Sequence, residues 1–295
     1  MKKFTCLIML ALVIALLSGC GAGDGGPQVA ATTLPVYEFT SMLCQDTPIT
    51  VGRLVTESVS CLHDYTLQTG QMRMIEGAEL VVISGAGLED FLEDALDTAH
   101  SVIDASEGTH VHSAEHDHDH GHEHSHDHDH ENDPHIWLSP ENARVMAQNI
   151  CNGLSHAYPE FTDTFTNNLQ SLTEQLDALQ AYGEQTLCDL SCRELITFHD
   201  GFAYFAESFD LTILQAVEEE SGSEASASEL KELIGLVQGH NLPAVFTERN
   251  GSVSAADVIA AETDTGVFSL DMAMAGDSYF EAMYHNIDTI KEALG

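Results

Sequence analysis

Basic side chains are scarce: nine Lys and Arg stand against 48 Asp and Glu in 295 residues, a formal net charge of −39 with His neutral. A surface of that sign repels phosphate backbones, so nucleic acid is excluded as a partner. Beyond the first twenty positions there is no long apolar run, which leaves no later segment to span a bilayer. Disorder is excluded too, because hydrophobic residues make up 43% of the chain, enough to build a core. What remains is an acidic globular protein, sized for two ordinary domains or one large one. It can attract cations, and its 17 His point to which cations.

The amino terminus carries Lys2 and Lys3, an apolar run over 4–17, and then Leu17-Ser18-Gly19-Cys20 before a glycine-rich stretch. Such a segment is read as a targeting signal rather than as part of the fold. It resembles a bacterial lipoprotein signal with a lipobox. The resemblance implies cleavage after residue 19, acylation of Cys20, a flexible anchor over 20–28, and an extracytoplasmic chain lipid-anchored to the bacterial cell membrane. Disulfides can persist in that compartment. With Cys6 removed and Cys20 lipidated, Cys44, Cys61, Cys151, Cys188 and Cys192 remain, an odd number. Cys188 and Cys192 are close enough to close a small loop, and Cys44 and Cys61 could bracket the segment between them. Spacing leaves both pairings open.

Short β-branched runs bounded by turn residues recur at 29–34, 49–55, 79–84, 194–198, 211–217, 244–247 and 267–270, with helical patterns between them. Alternation of that kind predicts an α/β fold with mainly parallel sheets. One helix stands out, because Phe161, Phe165, Leu169, Leu172, Leu176, Leu179 and Tyr182 fall at steps of three and four. It divides the chain into similar halves, as a rigid spine between two lobes would.

Ten of the histidines lie within 110–130, interleaved with Asp and Glu and without apolar periodicity. That tract is read as a surface loop, and imidazole alternating with carboxylate suits loose binding of several borderline divalent ions, chiefly zinc. The remaining histidines are His63, His100, His135, His156, His199, His240 and His285. A closed metal site needs three or four suitable groups converging from distant positions. His63, in His63-Asp64-Tyr65, His135, in Asp133-Pro134-His135-Ile136-Trp137-Leu138-Ser139-Pro140, and His199, in Thr197-Phe198-His199-Asp200-Gly201-Phe202, have the best contexts. Ser139-Pro140 reads as a helix start. Two of the three sit at strand exits, where ligand sites in α/β folds gather. His100, His156, His240 and His285 lack such context and read as surface residues, while Trp137 and Tyr204 read as packing.

These three motifs, with Glu262-Thr263, Leu270-Asp271 and Gly276-Asp277-Ser278-Tyr279-Phe280, resemble those of the zinc/manganese substrate-binding lipoproteins of ABC transporters. The likeness covers essentially the whole mature chain. It implies two similar α/β lobes, each a small mainly parallel sheet flanked by helices, joined by one long rigid helix. The corresponding boundaries are 29–157 for the first lobe, including a His-rich loop over 110–132, 158–187 for the linking helix, and 188–295 for the second lobe. It further implies His63 and His135 as metal ligands from the first lobe and His199 from the second. Asp271 matches a position that supplies a fourth, carboxylate ligand in some members. Imidazole at 199, where the manganese branch commonly has a carboxylate, favours Zn2+ over Mn2+ as the transported ion.

The expected role is therefore capture of zinc outside the cytoplasm and delivery to an ABC permease, by a monomeric chain that is not an enzyme. A manganese-binding member of the same family is the nearest alternative. A secreted zinc hydrolase, or a metal-storage or adhesin surface protein, would be different classes. No HExxH motif with a placed general base supports a hydrolase. The chain departs from the family at Glu57-Ser58-Val59-Ser60-Cys61-Leu62-His63, where the usual acidic neighbour and proline before the first ligand are missing and Cys61 stands close by.

Overall fold

A computed structural model describes residues 26–56, 62, 65–112, 132–217 and 225–295. The signal segment with Cys20, the positions of Cys61, His63 and Asp64, most of the His-rich tract and Glu218-Glu219-Glu220 lie outside the described residues.

Two four-stranded parallel sheets form. In the first, β1 (Val29–Ala31), β2 (Val51–Arg53), β3 (Leu80–Ile83) and β4 (Val102–Asp104) lie in the order β2-β1-β3-β4. The second repeats that order as β6-β5-β7-β8, from β5 (Glu194–Thr197), β6 (Thr212–Ala216), β7 (Ala244–Glu248) and β8 (Gly266–Leu270). The helices are α1 (Leu34–Leu43), α2 (Thr69–Gly77), α3 (Glu93–Leu96), α4 (Pro140–Ala157), α5 (Thr162–Thr186), α6 (Ala203–Ser208), α7 (Ala227–His240), α8 (Ser254–Thr263) and α9 (Tyr279–Leu294). Each of the seven runs predicted as strands overlaps one, β7 and β8 extending one residue beyond theirs. The sequence reading missed β4, because Val102, Ile103 and Asp104 alternate exposed, buried and exposed over too short a span to register as a pattern.

Central parallel strands are covered on both faces and so need apolar side chains throughout. Alternation along the strand then decides which side each residue serves. In the first sheet Ala30 and Val81 pack with Ile75 and Ala78 beside α2, while Val29, Ala31, Leu80 and Val82 face a larger core with Val36 and Phe39 of α1. In the second, Ile196 and Val245 pack with Leu233 and Val237 of α7 and Ile259 of α8, whereas Leu195, Ala244 and Phe246 join that same larger core. One apolar core is thus common to both lobes.

Helix α5 runs through it. At about 1.5 Å per residue its 25 residues reach about 37 Å. Phe165, Leu172, Leu176 and Leu179 are fully buried, as the stripe predicts. Tyr182 departs from the stripe: it is half-exposed, with its hydroxyl donating to Asp288 and its ring edge against Tyr284. At Gly183 a Cβ would stand 2.2 Å from the Phe209 ring, so only glycine permits that contact. Helix α4 begins as expected, with Ser139 Oγ accepting the Asn142 N–H and Pro140 at its first position. Among the described residues no helix is long and apolar enough to cross a membrane. Cys188 and Cys192 are free thiols rather than the suggested pair, and Cys44 and Cys151 are free and buried.

The two lobes are tied by hydrogen bonds as well as by apolar contact. The segment between β8 and α9 is the main tie: Trp137 Nε1–H donates to Met272 O at 2.7 Å, Leu34 N–H to Met274 O, and Arg53 to Gly276 O. The Glu38 carboxylate accepts from Ser278 Oγ and the Tyr279 N–H at the start of α9. Tyr279 Oη in turn donates to Trp137 O at 2.9 Å inside the core. Tyr279→Phe leaves that carbonyl buried and unpaired, and equilibrium denaturation is expected to show a loss of about 1–3 kcal/mol.

A second buried polar tie lies within the first lobe, where the Glu89 carboxylate accepts from Thr32 Oγ and from the Ser84 and Gly85 N–H groups, clasping the carboxyl ends of β1 and β3. Burial pushes its carboxyl up to about 7 in spite of those donors. Because the folded state holds this proton over a range where the unfolded chain has released it, stability falls as pH rises from about 4.5 to about 7. Glu89→Gln should flatten that part of the fall in denaturant midpoint measured across the same range.

Candidate metal centre

Both lobes bring a histidine to the junction. Parallel sheets with this strand order have a topological switch point between their two central strands, and ligands bind beyond the carboxyl ends there. In the second sheet those strands are β5 and β7. His199 lies two residues beyond the end of β5, and Glu248 is the last residue of β7. From the first lobe, His135 stands before the short 3-10 turn Ile136–Leu138, which Trp137 anchors in the core.

The two imidazoles meet. His135 Nε2 and His199 Nε2 are 3.3 Å apart, with ring planes nearly perpendicular. Asp133 Oδ1 takes the other nitrogen of His135, Nδ1, at 2.8 Å, and the same oxygen accepts the His135 backbone N–H. That partner fixes the tautomer with the proton on Nδ1 and the lone pair on Nε2. On the far side Glu248 Oε2 stands 3.5 Å from His199 Nδ1. Two Nε2 atoms, each about 2.0–2.1 Å from a tetrahedral zinc ion, would be about 3.3–3.4 Å apart, so the observed spacing fits one shared zinc.

Gly201 closes the site from the side. A Cβ there would lie 2.7 Å from Met272 Cε, 2.8 Å from His199 Cδ2 and 3.0 Å from His135 Cγ, so both rings depend on this position having no side chain.

Of the four residues expected as ligands, then, His135 and His199 are brought together and His63 falls outside the described residues. Asp271 sits just past β8 with its oxygens already engaged: Oδ2 with Arg249 at 3.0 Å and Oδ1 with the Ala273 N–H at 2.8 Å. Among the described residues no third His, Cys, Asp or Glu gathers with the two imidazoles such that all ligand atoms lie within 4.8 Å of one another. The sequence reading missed Glu248. Burial, and then the negative charge of Asp271, push its carboxyl up to about 8. Its only signal was an acid directly after a short, mostly apolar run. Trp137 and Tyr204 pack as expected, and Tyr204 Oη donates to Asp133 O at 2.7 Å, holding the residue that orients His135. His100, His156, His240 and His285 are exposed, as predicted.

Comparison with known proteins returns the same fold. The family model described as "ZnuA: Zinc-uptake complex component A periplasmic" matches residues 29–293, and the chain belongs to that family. It is 28% identical to a putative metal-binding protein of Treponema pallidum, over 99% of this chain and 97% of that protein. It is likewise 28% identical to the high-affinity zinc uptake system protein ZnuA of Bacillus subtilis, over 99% of this chain and 98% of that one. A crystal structure of ZnuA superposes with a TM-score of 0.78 and 28% identity, covering 90% of this chain and 99% of the other.

Removing a residue that orients a metal ligand typically costs about 10–100-fold in affinity, and Asp133→Ala should weaken zinc binding by that order in a competition titration. Gly201→Ala should weaken it too, because the added methyl displaces both rings as well as Met272.

Proposed function

We propose that this chain is the zinc-binding substrate-binding component of an ABC uptake system, capturing Zn2+ outside the cytoplasm and handing it to a membrane permease. The observation that carries the reading is the approach of His135 and His199, one from each lobe, at the separation two ligands of a single zinc would have. His63 supplies a third imidazole from the first lobe. Asp271 is the carboxylate for the fourth place, and it can serve only if Arg249 gives up its contact with it.

Three neutral imidazoles and at most one carboxylate suit zinc better than manganese, and discourage calcium and magnesium, which require more oxygen ligands. The ion is cargo, bound and released unchanged, so no general base is required. Acylated Cys20 holds a monomeric chain to the outer face of the cell membrane, within reach of the permease, and the strongly acidic surface raises the local concentration of cations.

Isothermal titration of the full chain should find one tight zinc equivalent. His135→Ala and His199→Ala should each weaken it by more than about 100-fold, a larger effect than loss of an orienting partner. Retention of tight binding in both variants would remove the assignment. Acidification from about pH 7 to about pH 5 should release the ion, because protonated imidazole cannot ligate. Cys20→Ser should move the protein from the membrane fraction to the soluble one.

A further inference from the structure

The carboxylate beside the two imidazoles is held by a cation of the chain itself. Arg249 Nη1 donates to Asp271 Oδ2 at 3.0 Å, while Asp271 Oδ1 accepts the Ala273 N–H. Strand register brings the guanidinium there: Glu248 pairs with Leu270 across β7 and β8, and the next residue, Arg249, donates its own N–H to Leu270 O at 2.8 Å. The Asp271 backbone is fixed as well. Asn286, fully buried in α9, accepts its N–H and donates to its carbonyl, each at 2.7 Å.

Asp271 belongs to the wall of the metal centre. Its neighbour Met272 reaches the same place as the ligands, since Met272 Cε, His199 Cδ2 and His135 Cγ all lie within 3.0 Å of where a Cβ on Gly201 would stand. The charge of Asp271 is also felt at Glu248, which stands behind His199.

The two partners of the ion pair differ in exposure: the Arg249 side chain is 63% exposed and that of Asp271 14%. A guanidinium so open to water is weakly held and can leave. The carboxylate is therefore withheld from an incoming ion rather than permanently lost to it. Ions respond unequally to that condition. Zinc is well served by imidazole nitrogen, whereas manganese prefers carboxylate and other oxygen ligands. An ion that needs the oxygen must first displace the arginine, and an ion content with the imidazoles need not.

We propose that Arg249 is a specificity-determining residue for the cargo, a resident cation that withholds the Asp271 carboxylate and so turns the centre from manganese toward zinc. This rests on the reading of the imidazoles at 63, 135 and 199 as the ligands, and adds a determinant that is not itself a ligand.

The test titrates the full chain and its Arg249→Gln variant with Zn2+ and with Mn2+, each in competition with a chromophoric chelator. Removing one positive charge raises the affinity of every divalent ion by a common factor, so the ratio of zinc to manganese affinity isolates the oxygen ligand. That ratio should fall by about fivefold in Arg249→Gln, the factor matching release of an ion pair of this exposure. In an Asp271→Asn background the same substitution should leave the ratio unmoved. Equal changes for the two ions in Arg249→Gln, or the same fall in ratio without the Asp271 carboxylate, would overturn the role of Arg249 while leaving zinc capture intact. Absence of a tight zinc equivalent in the unaltered chain would remove the reading of the centre and this inference with it. Arg249 is exposed, and an unchanged unfolding midpoint verifies that the variant keeps its fold.

Discussion

His135 Nε2 and His199 Nε2 stand 3.3 Å apart, close enough to share one proton or one cation, and everything around them acts to hold them there. Asp133 takes one ring by its far nitrogen, Glu248 lies behind the other, and Gly201 leaves room for both. A single proton between the two nitrogens satisfies both, and a divalent ion able to bond each of them takes the place of that shared proton. Capture requires a site whose ligands are already oriented before the ion arrives, and the surrounding contacts supply that orientation.

Fold and site are linked through the junction between the lobes. Because each sheet turns one face to the shared core, the lobes are joined by packed apolar side chains around α5 rather than through a flexible tether. The hydrogen bonds from Trp137 and Tyr279 then register the first lobe against the segment following β8. His135 lies two residues before Trp137, so the same anchor that joins the lobes sets the height of the imidazole over the second sheet. His199 needs no such device, since the end of a central strand already points it at the switch point.

Most of the architecture was legible in the sequence because parallel strands buried on both faces read as short continuous apolar runs, as at 79–84 and 244–247. The α5 stripe was legible for the same reason in helical period, except at Tyr182, whose hydroxyl makes a surface position as good as a buried one. Strand β4 was hidden because its pattern is an edge strand's and only three residues long. In the site, His135 and His199 stood out by motif. Glu248 did not, because nothing in a linear pattern distinguishes a buried acid that faces a histidine from one that ends a strand at the surface. Nor could spacing reveal that Arg249 would engage Asp271, or that Glu207 would approach His110 and His112, since each of these is a contact made only by packing separate elements.

The most direct test of the central claim is zinc K-edge X-ray absorption on the full chain loaded with one equivalent of the ion. The account predicts a first shell of light atoms at about 2.0–2.1 Å with outer-shell scattering from imidazole carbons, and loss of that imidazole signature in the His135→Ala, His199→Ala double variant. An absorption spectrum that is the same with and without those two rings would contradict it.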